Sequence, residues 1–207
     1  HAGRRREPAR PAERSDPPPS RVAPPGGRDR VTCATVAPVR RLYVLRHAKS
    51  SWDDPDLPDH LRPLAPRGRK AVAALARHMR ATGVAPDLVL CSPAVRAVQT
   101  WEGVASGLPG GTAVDVDDAL YGAGAGDLLR RLRRLPPEVD SVLVVGHNPA
   151  LEELTLGLVG AGDPALRRRL ATKFATGALA TLDVPGAWHD LRPGATTLVA
   201  FVLPREL

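Results

Sequence analysis

The chain has 207 residues, enough for one sizeable core and too few for two. Its 43% apolar and 25% charged content is that of an ordinary globular domain, and no apolar run reaches the ~18–20 residues of a membrane-spanning helix. The net charge of +7 is unevenly placed, because residues 1–40 hold nine arginines against four acids; the folded part is therefore close to balanced, which argues against a nucleic-acid partner.

Residues 1–38 are expected to be a disordered, basic, Pro-rich tail, and 39–207 the folded domain. Eight prolines fall within residues 1–40, and too few apolar side chains are present to offset chain entropy. Two cysteines, Cys33 and Cys91, make no disulfide framework and suit a reducing cytoplasm. No Cys/His cluster has zinc spacing.

From Arg41 the pattern becomes periodic. Leu42–Leu45 reads as a buried strand. Residues 66–83 read as a helix, with Pro near the start and Gly83 as a stop. Residues 87–92 form a second strand, and 93–107 a helix opened by Pro93 and closed by Gly107. A short strand at 112–117 precedes an amphipathic helix at 126–135, which Pro136 and Pro137 end. The most apolar strand is 141–146, followed by a helix over 149–160. Strands at 177–184 and 196–203 flank a turn at Pro185 and Gly186. Strands alternating with helices predict an α/β fold, a three-layer α/β/α sandwich around a mostly parallel sheet.

In such sheets ligands bind at the carboxyl ends of the strands. The first strand ends on Arg46 and His47. The second ends at Ser92-Pro93, and Arg96 follows in the first helical turn. The strand 141–146 runs into His147 and Asn148. Two guanidiniums and two imidazoles thus emerge at one sheet edge, a set suited to a tetrahedral dianion. The helix after Pro93 adds a positive N-terminus. A neutral imidazole can attack phosphorus and carry the phosphoryl group covalently, and arginines can stabilise the transition state. Because they supply the positive charge, neither a metal nor another cofactor is expected.

The segments LRHAKS (45–50), SPAVRAVQT (92–100) and VVGHNP (144–149) resemble, in order, the three signatures of the histidine phosphatase (phosphoglycerate mutase-like) superfamily. The resemblance spans Arg41 to about Leu203. Ala48 stands where the usual motif has glycine, as is common in the phosphohistidine phosphatase (SixA-like) branch. The resemblance implies that His47 is the nucleophile and that Arg46, Arg96 and His147 complete the phosphate pocket. Ser50 and Asp53 match positions of a Ser-x-Trp-Asn run in which the amide helps hold phosphate; Asp53, an anion in place of the amide, either points away, acts as an acid or is a loop or helix-cap residue. Ser92 is placed beside the pocket, where it either binds substrate or caps the helix. Many relatives carry a catalytic Glu after the third strand. Here that region has none, and Asp118, with Asp117 behind it, is the candidate acid.

A weak acid suits a phosphoramidate more than an ester, since an N-phosphoryl imidazole leaves more readily than an alkoxide. The expected substrate is therefore phosphohistidine on a cytoplasmic protein. Two other readings remain open: the same chemistry on a small phosphorylated metabolite, including a mutase, and a non-enzymatic basic module binding nucleic acid. Aromatics at 3% leave few stacking platforms for the last. The basic runs 130–134 and 167–169 are read as solvated helix faces, with docking of an acidic protein as the alternative. Lys173 and Phe174 are candidates to border the pocket.

Overall fold

The computed structural model describes residues 39–207; the expected tail at 1–38, with Cys33, lies outside the described residues. The strands are β1 (Val39–Arg46), β2 (Leu88–Cys91), β3 (Ala113–Val116), β4 (Ser141–Gly146), β5 (Val159–Gly162), β6 (Leu179–Pro185) and β7 (Thr196–Val202). The helices are α1 (Pro66–Ala81), α2 (Val95–Ala105), α3 (Ala125–Arg133), α4 (Ala150–Leu158) and α5 (Pro164–Thr172). The strands form one sheet in the order β3-β2-β4-β1-β6-β7-β5.

Strand β1 shows why the sheet is central. Its side chains alternate between faces, and both faces are apolar. Leu42 and Val44 enter a core with Leu128, Leu132, Leu151 and Leu154 of α3 and α4. Tyr43 and Leu45 enter a second core with Val72, Leu75 and Met79 of α1 and Val104 of α2. The sheet thus separates two helical layers, the three-layer arrangement that its apolar runs predict.

The pairings β1/β4, β2/β4, β2/β3 and β5/β7 are parallel, while β1/β6 and β6/β7 are antiparallel. Among the described strands, β6 alone is reversed. The parallel strands β1, β4 and β2 lie side by side, with Arg46 opposite Gly146 and Cys91 opposite Val145. Their carboxyl ends are therefore level, which brings the segments after them together.

The helix expected over 149–160 stops at Leu158, and Val159–Gly162 turns into an edge strand paired with β7. The reason is backbone proximity. Gly194 N–H donates to the Gly157 carbonyl at 2.9 Å, and a Cβ on Gly160 would run into the Gly194 carbonyl. Glycine permits that approach where a continued helix would not. Helix α5 follows at once, with Pro164 at its start and the Asp163 side chain accepting from Ala165 N–H (2.7 Å) and Leu166 N–H (3.1 Å), a well-capped start.

Candidate active site

The site forms where β1, β2 and β4 end. His47 follows β1 directly, its N–H donating to the Gly146 carbonyl at 3.0 Å, so the first imidazole is tied to the end of β4. It is 8% exposed. Its Nδ1 lies 2.7 Å from the Ala48 carbonyl. A carbonyl only accepts, so Nδ1 carries the proton and Nε2 keeps a free lone pair. Burial pushes the His47 pKa from 6.5 down to about 3; the Ala48 bond opposes this, and His147, Arg96 and Arg46 push it further down. The ring is neutral near pH 7.

His147 follows β4, with its ring centroid 5.0 Å from that of His47. Its Nδ1 faces the Arg96 guanidinium at 3.4 Å and its Nε2 lies 2.8 Å from Ser92 Oγ. Arginine only donates, so Nδ1 accepts and Nε2–H donates to the serine. Burial, then the charge of Arg96, lowers this pKa to about 4, with Asp59 opposing and Arg46 adding. An anion arriving beside Arg96 would reverse the local field and favour a protonated His147.

Arg96 is buried in the first turn of α2. Its guanidinium donates to the Asp59 main-chain carbonyl at 2.5 Å and to Asp59 Oδ2 at 2.8 Å. Tyr121 OH donates to the same Oδ2 at 3.0 Å, and the tyrosine ring meets His147 edge-on at 5.7 Å between centroids. Burial would raise the Asp59 pKa, but the bonds from Arg96 and Tyr121 and the charges of Arg96 and Arg62 together hold it below the usual carboxylate range. A carboxylate thus occupies an anion position on Arg96.

Arg46, the last residue of β1, donates to the Phe174 carbonyl at 2.7 Å, and among the described residues its buried Nε has no hydrogen-bond partner. Burial lowers its pKa, with Glu152 opposing. The segment before β6 closes this side: Gly177 N–H lies 3.0 Å from both the Arg46 and His47 carbonyls. A residue with a side chain would be strained there, because Gly177 has φ +77°. The motif turn is held from α2: Ala48 N–H donates to Thr100 Oγ1 at 3.0 Å, and Thr100 donates to the Arg96 carbonyl at 2.6 Å.

The structure brings His47, Arg46, Arg96, His147 and Ser92 together. Among the described residues, the side chains of the other three expected residues make no hydrogen bond to these groups. Ser50 makes a backbone bridge with Leu64, and among the described residues its side chain has no hydrogen bond to the site groups. Asp53 is exposed, its N–H donating to Ser51 Oγ. Asp118 is exposed at the start of a short 3-10 turn, and among the described residues its side chain bonds none of the site groups. Asp117 caps that turn through Ala119 N–H. The acid beside the imidazoles is Asp59 instead, on the turn Asp59–Leu61, and the residue that reaches it from the 118–121 segment is Tyr121. The sequence pattern predicts an acid in that segment, whereas the contribution is a phenol. Asp59 carries one signal in the chain, its position three before Arg62, with which it forms an ion pair at 3.9 Å.

Cys91 is buried, and burial, then Glu102, pushes its thiol up to about 12, which makes it inert packing. Among the described residues no group of three or more His, Cys, Asp or Glu is placed to hold a metal, and no helix is long and apolar enough to cross a membrane.

A buried and a half-buried imidazole between two arginines at parallel strand ends form a pocket suited to a tetrahedral oxyanion. A family model for the histidine phosphatase superfamily (branch 1) matches residues 42–131. The uncharacterised protein Rv1276c of Mycobacterium tuberculosis is 39% identical over 163 residues, 78% of this chain and 100% of the relative. A Nakamurella multipartitia structure, named as a candidate phosphohistidine phosphatase SixA, superposes with TM-score 0.70 at 32% identity, covering 80% of this chain and 96% of that one. The protein histidine phosphatase SixA complexed with tungstate superposes with TM-score 0.66 at 26% identity, covering 80% and 98%. The chain belongs to the histidine phosphatase superfamily, and it is a phosphatase of SixA-like fold.

Proposed function

We propose that this phosphatase hydrolyses phosphohistidine on a protein through a phosphorylated His47, with no metal or other cofactor. The observation that carries the reading is the Nδ1–H bond from His47 to the Ala48 carbonyl at 2.7 Å, which leaves Nε2 as the attacking atom beside Arg46, Arg96 and His147. The SixA relatives support the phosphohistidine substrate, and the tungstate complex of one of them supports a tetrahedral oxyanion at the site.

Substrate phosphate displaces the Asp59 carboxylate from Arg96, and the two arginines hold its oxygens. His47 Nε2 attacks phosphorus as the bond from phosphorus to the substrate imidazole nitrogen breaks. Released from Arg96, the Asp59 carboxylate takes a proton from solvent and passes it to the leaving nitrogen. Protonated His147 stabilises the transferring group. Water then attacks phosphorus, Asp59 takes its proton, the bond to Nε2 breaks, and inorganic phosphate leaves. Asp59 takes the role expected of Asp118, and Ser92 orients His147 rather than binding substrate. Residues 39–207 carry the activity and 1–38 are dispensable for it. A reducing cytoplasm suits the free, buried Cys91.

The test is trapping. Wild type and His47→Ala are incubated with a radiolabelled phosphohistidine protein and quenched. Acid-labile, base-stable label on wild type alone is expected, and equal labelling of both overturns the assignment of His47. A panel of phosphate esters run alongside decides the substrate class, a clear preference for an ester overturning the protein reading.

A further inference from the structure

Beside the phosphoryl pocket lies a cleft of about 430 Å³. Its walls carry five cations and no acid: Arg46, Lys49, Arg67, Lys173 and Arg205. They come from separate parts of the chain, including the end of β1, the first turn of α1, the segment after α5 and the turn Pro204–Glu206. Among the described residues, none of the five lies within ion-pair distance of a carboxylate. Glu152, whose charge reaches Arg46, is held by Asn148 Nδ2 at 2.6 Å. Glu206, next to Arg205, is held by Arg169 and by Leu203 N–H. The first turn of α1, which forms one wall, has no acid and no side-chain cap, so its positive end adds to the same field.

Elsewhere each basic run is already partly engaged, Arg169 of the second pairing with Glu206. Arg130 pairs with Asp127, Arg131 with Asp115 and Asp117, and Arg133 donates to the Leu191 carbonyl. The cleft gathers five cations on one concave wall with no carboxylate at ion-pair distance, whereas each helix face carries at least one ion pair. Cations gathered in a concave wall repel one another, and an anion relieves that repulsion while its local concentration is raised. Arg46 belongs to both the cleft and the phosphoryl pocket, so a ligand in the cleft is a direct neighbour of the transferred group. The volume is that of a site for a larger ligand, not one small anion.

We propose that this cleft binds a carboxylate-rich segment of the phosphorylated protein, so that acidic residues flanking the phosphohistidine select the substrate. This rests on the protein-phosphatase reading above. The test uses the full chain and Arg67→Glu/Arg205→Glu. Binding is measured with an unphosphorylated acidic peptide, its glutamine-substituted match and an oligonucleotide of equal charge. Turnover is measured with phosphohistidine forms of the two peptides and with phosphoramidate, which reaches only the phosphoryl pocket. Wild type is expected to bind the acidic peptide about tenfold more tightly than its match, a preference weakened by salt. The variant loses that preference in binding and in kcat/KM and keeps phosphoramidate turnover within about twofold, since the removed charges act only on the flanking segment. Equal binding of both peptides by wild type overturns the proposal, as does stronger binding of the oligonucleotide or a parallel loss of phosphoramidate turnover in the variant. Peptide binding without hydrolysis of any substrate sinks the catalytic reading and leaves the cleft standing.

Discussion

Asp59 holds Arg96 twice, through its carboxylate at 2.8 Å and its main-chain carbonyl at 2.5 Å. The free site is therefore occupied by one of the protein's own anions. Asp59→Asn removes the competing charge but also the proton carrier proposed above. Its expected effect is opposite on binding and on chemistry. Inhibition by tungstate strengthens about threefold, the scale of one partly exposed ion pair, while kcat on an ester falls about a hundredfold. Phosphoramidate turnover falls less. A variant with unchanged tungstate inhibition and full ester turnover would show that Asp59 is only a loop contact.

Ser92 fixes the His147 tautomer by accepting Nε2–H at 2.8 Å. Ser92→Ala leaves that proton without its partner at a part-buried position. Expected is a fall in kcat of about tenfold, the usual cost of losing a partner that orients a reactive imidazole, with KM little changed. Steady-state kinetics at saturating substrate check it, and a rise in KM alone would point to substrate binding by the serine.

Thr100 satisfies the buried N–H of Ala48. Thr100→Val keeps the shape and removes the acceptor, costing about 1–3 kcal/mol, whereas Thr100→Ser restores most of it. Urea midpoints of the three proteins decide the matter.

The two imidazoles make stability depend on acid. In the fold they take up protons only near pH 3 and 4, against 6.5 for an unperturbed histidine. Between those values the unfolded chain binds more protons, so stability is full above about 6.5 and declines as pH falls toward 4. The double variant His47→Gln/His147→Gln should show a shallower decline, by on the order of a few kcal/mol across that range. Urea unfolding at pH 7 and 4.5 measures the difference; equal declines would mean that both rings are protonated in the fold.

The alternation of strands and helices from Leu42 to α4 is legible in the chain because each element carries its own period. The positions of His47, Arg96 and His147 come with it, since a parallel sheet gathers the residues just past its strands at one edge. Strand direction is less legible: β6 has the same apolar run whichever way it lies, and only its pairing with β1 and β7 reveals the reversal. Strand β5, Val-Gly-Ala-Gly, has no alternation and depends on the closeness of Gly194. Asp59 and Tyr121 stand 62 positions apart and meet at 3.0 Å, a contact that no local pattern encodes. Asp118 has the right charge in the expected segment, but it is Tyr121 whose side chain reaches Asp59.

The reversed strand has one more outcome. A parallel β6 would offer its far end to the catalytic edge, but running backwards it delivers its lead-in, so that Lys173, Phe174, Ala175 and Thr176 arrive beside Arg46. These residues belong to none of the strands that carry the imidazoles or Arg96. One segment thus serves two ends: its main chain, through Phe174 and Gly177, braces Arg46 and His47, while the side chain of Lys173 faces the neighbouring cleft.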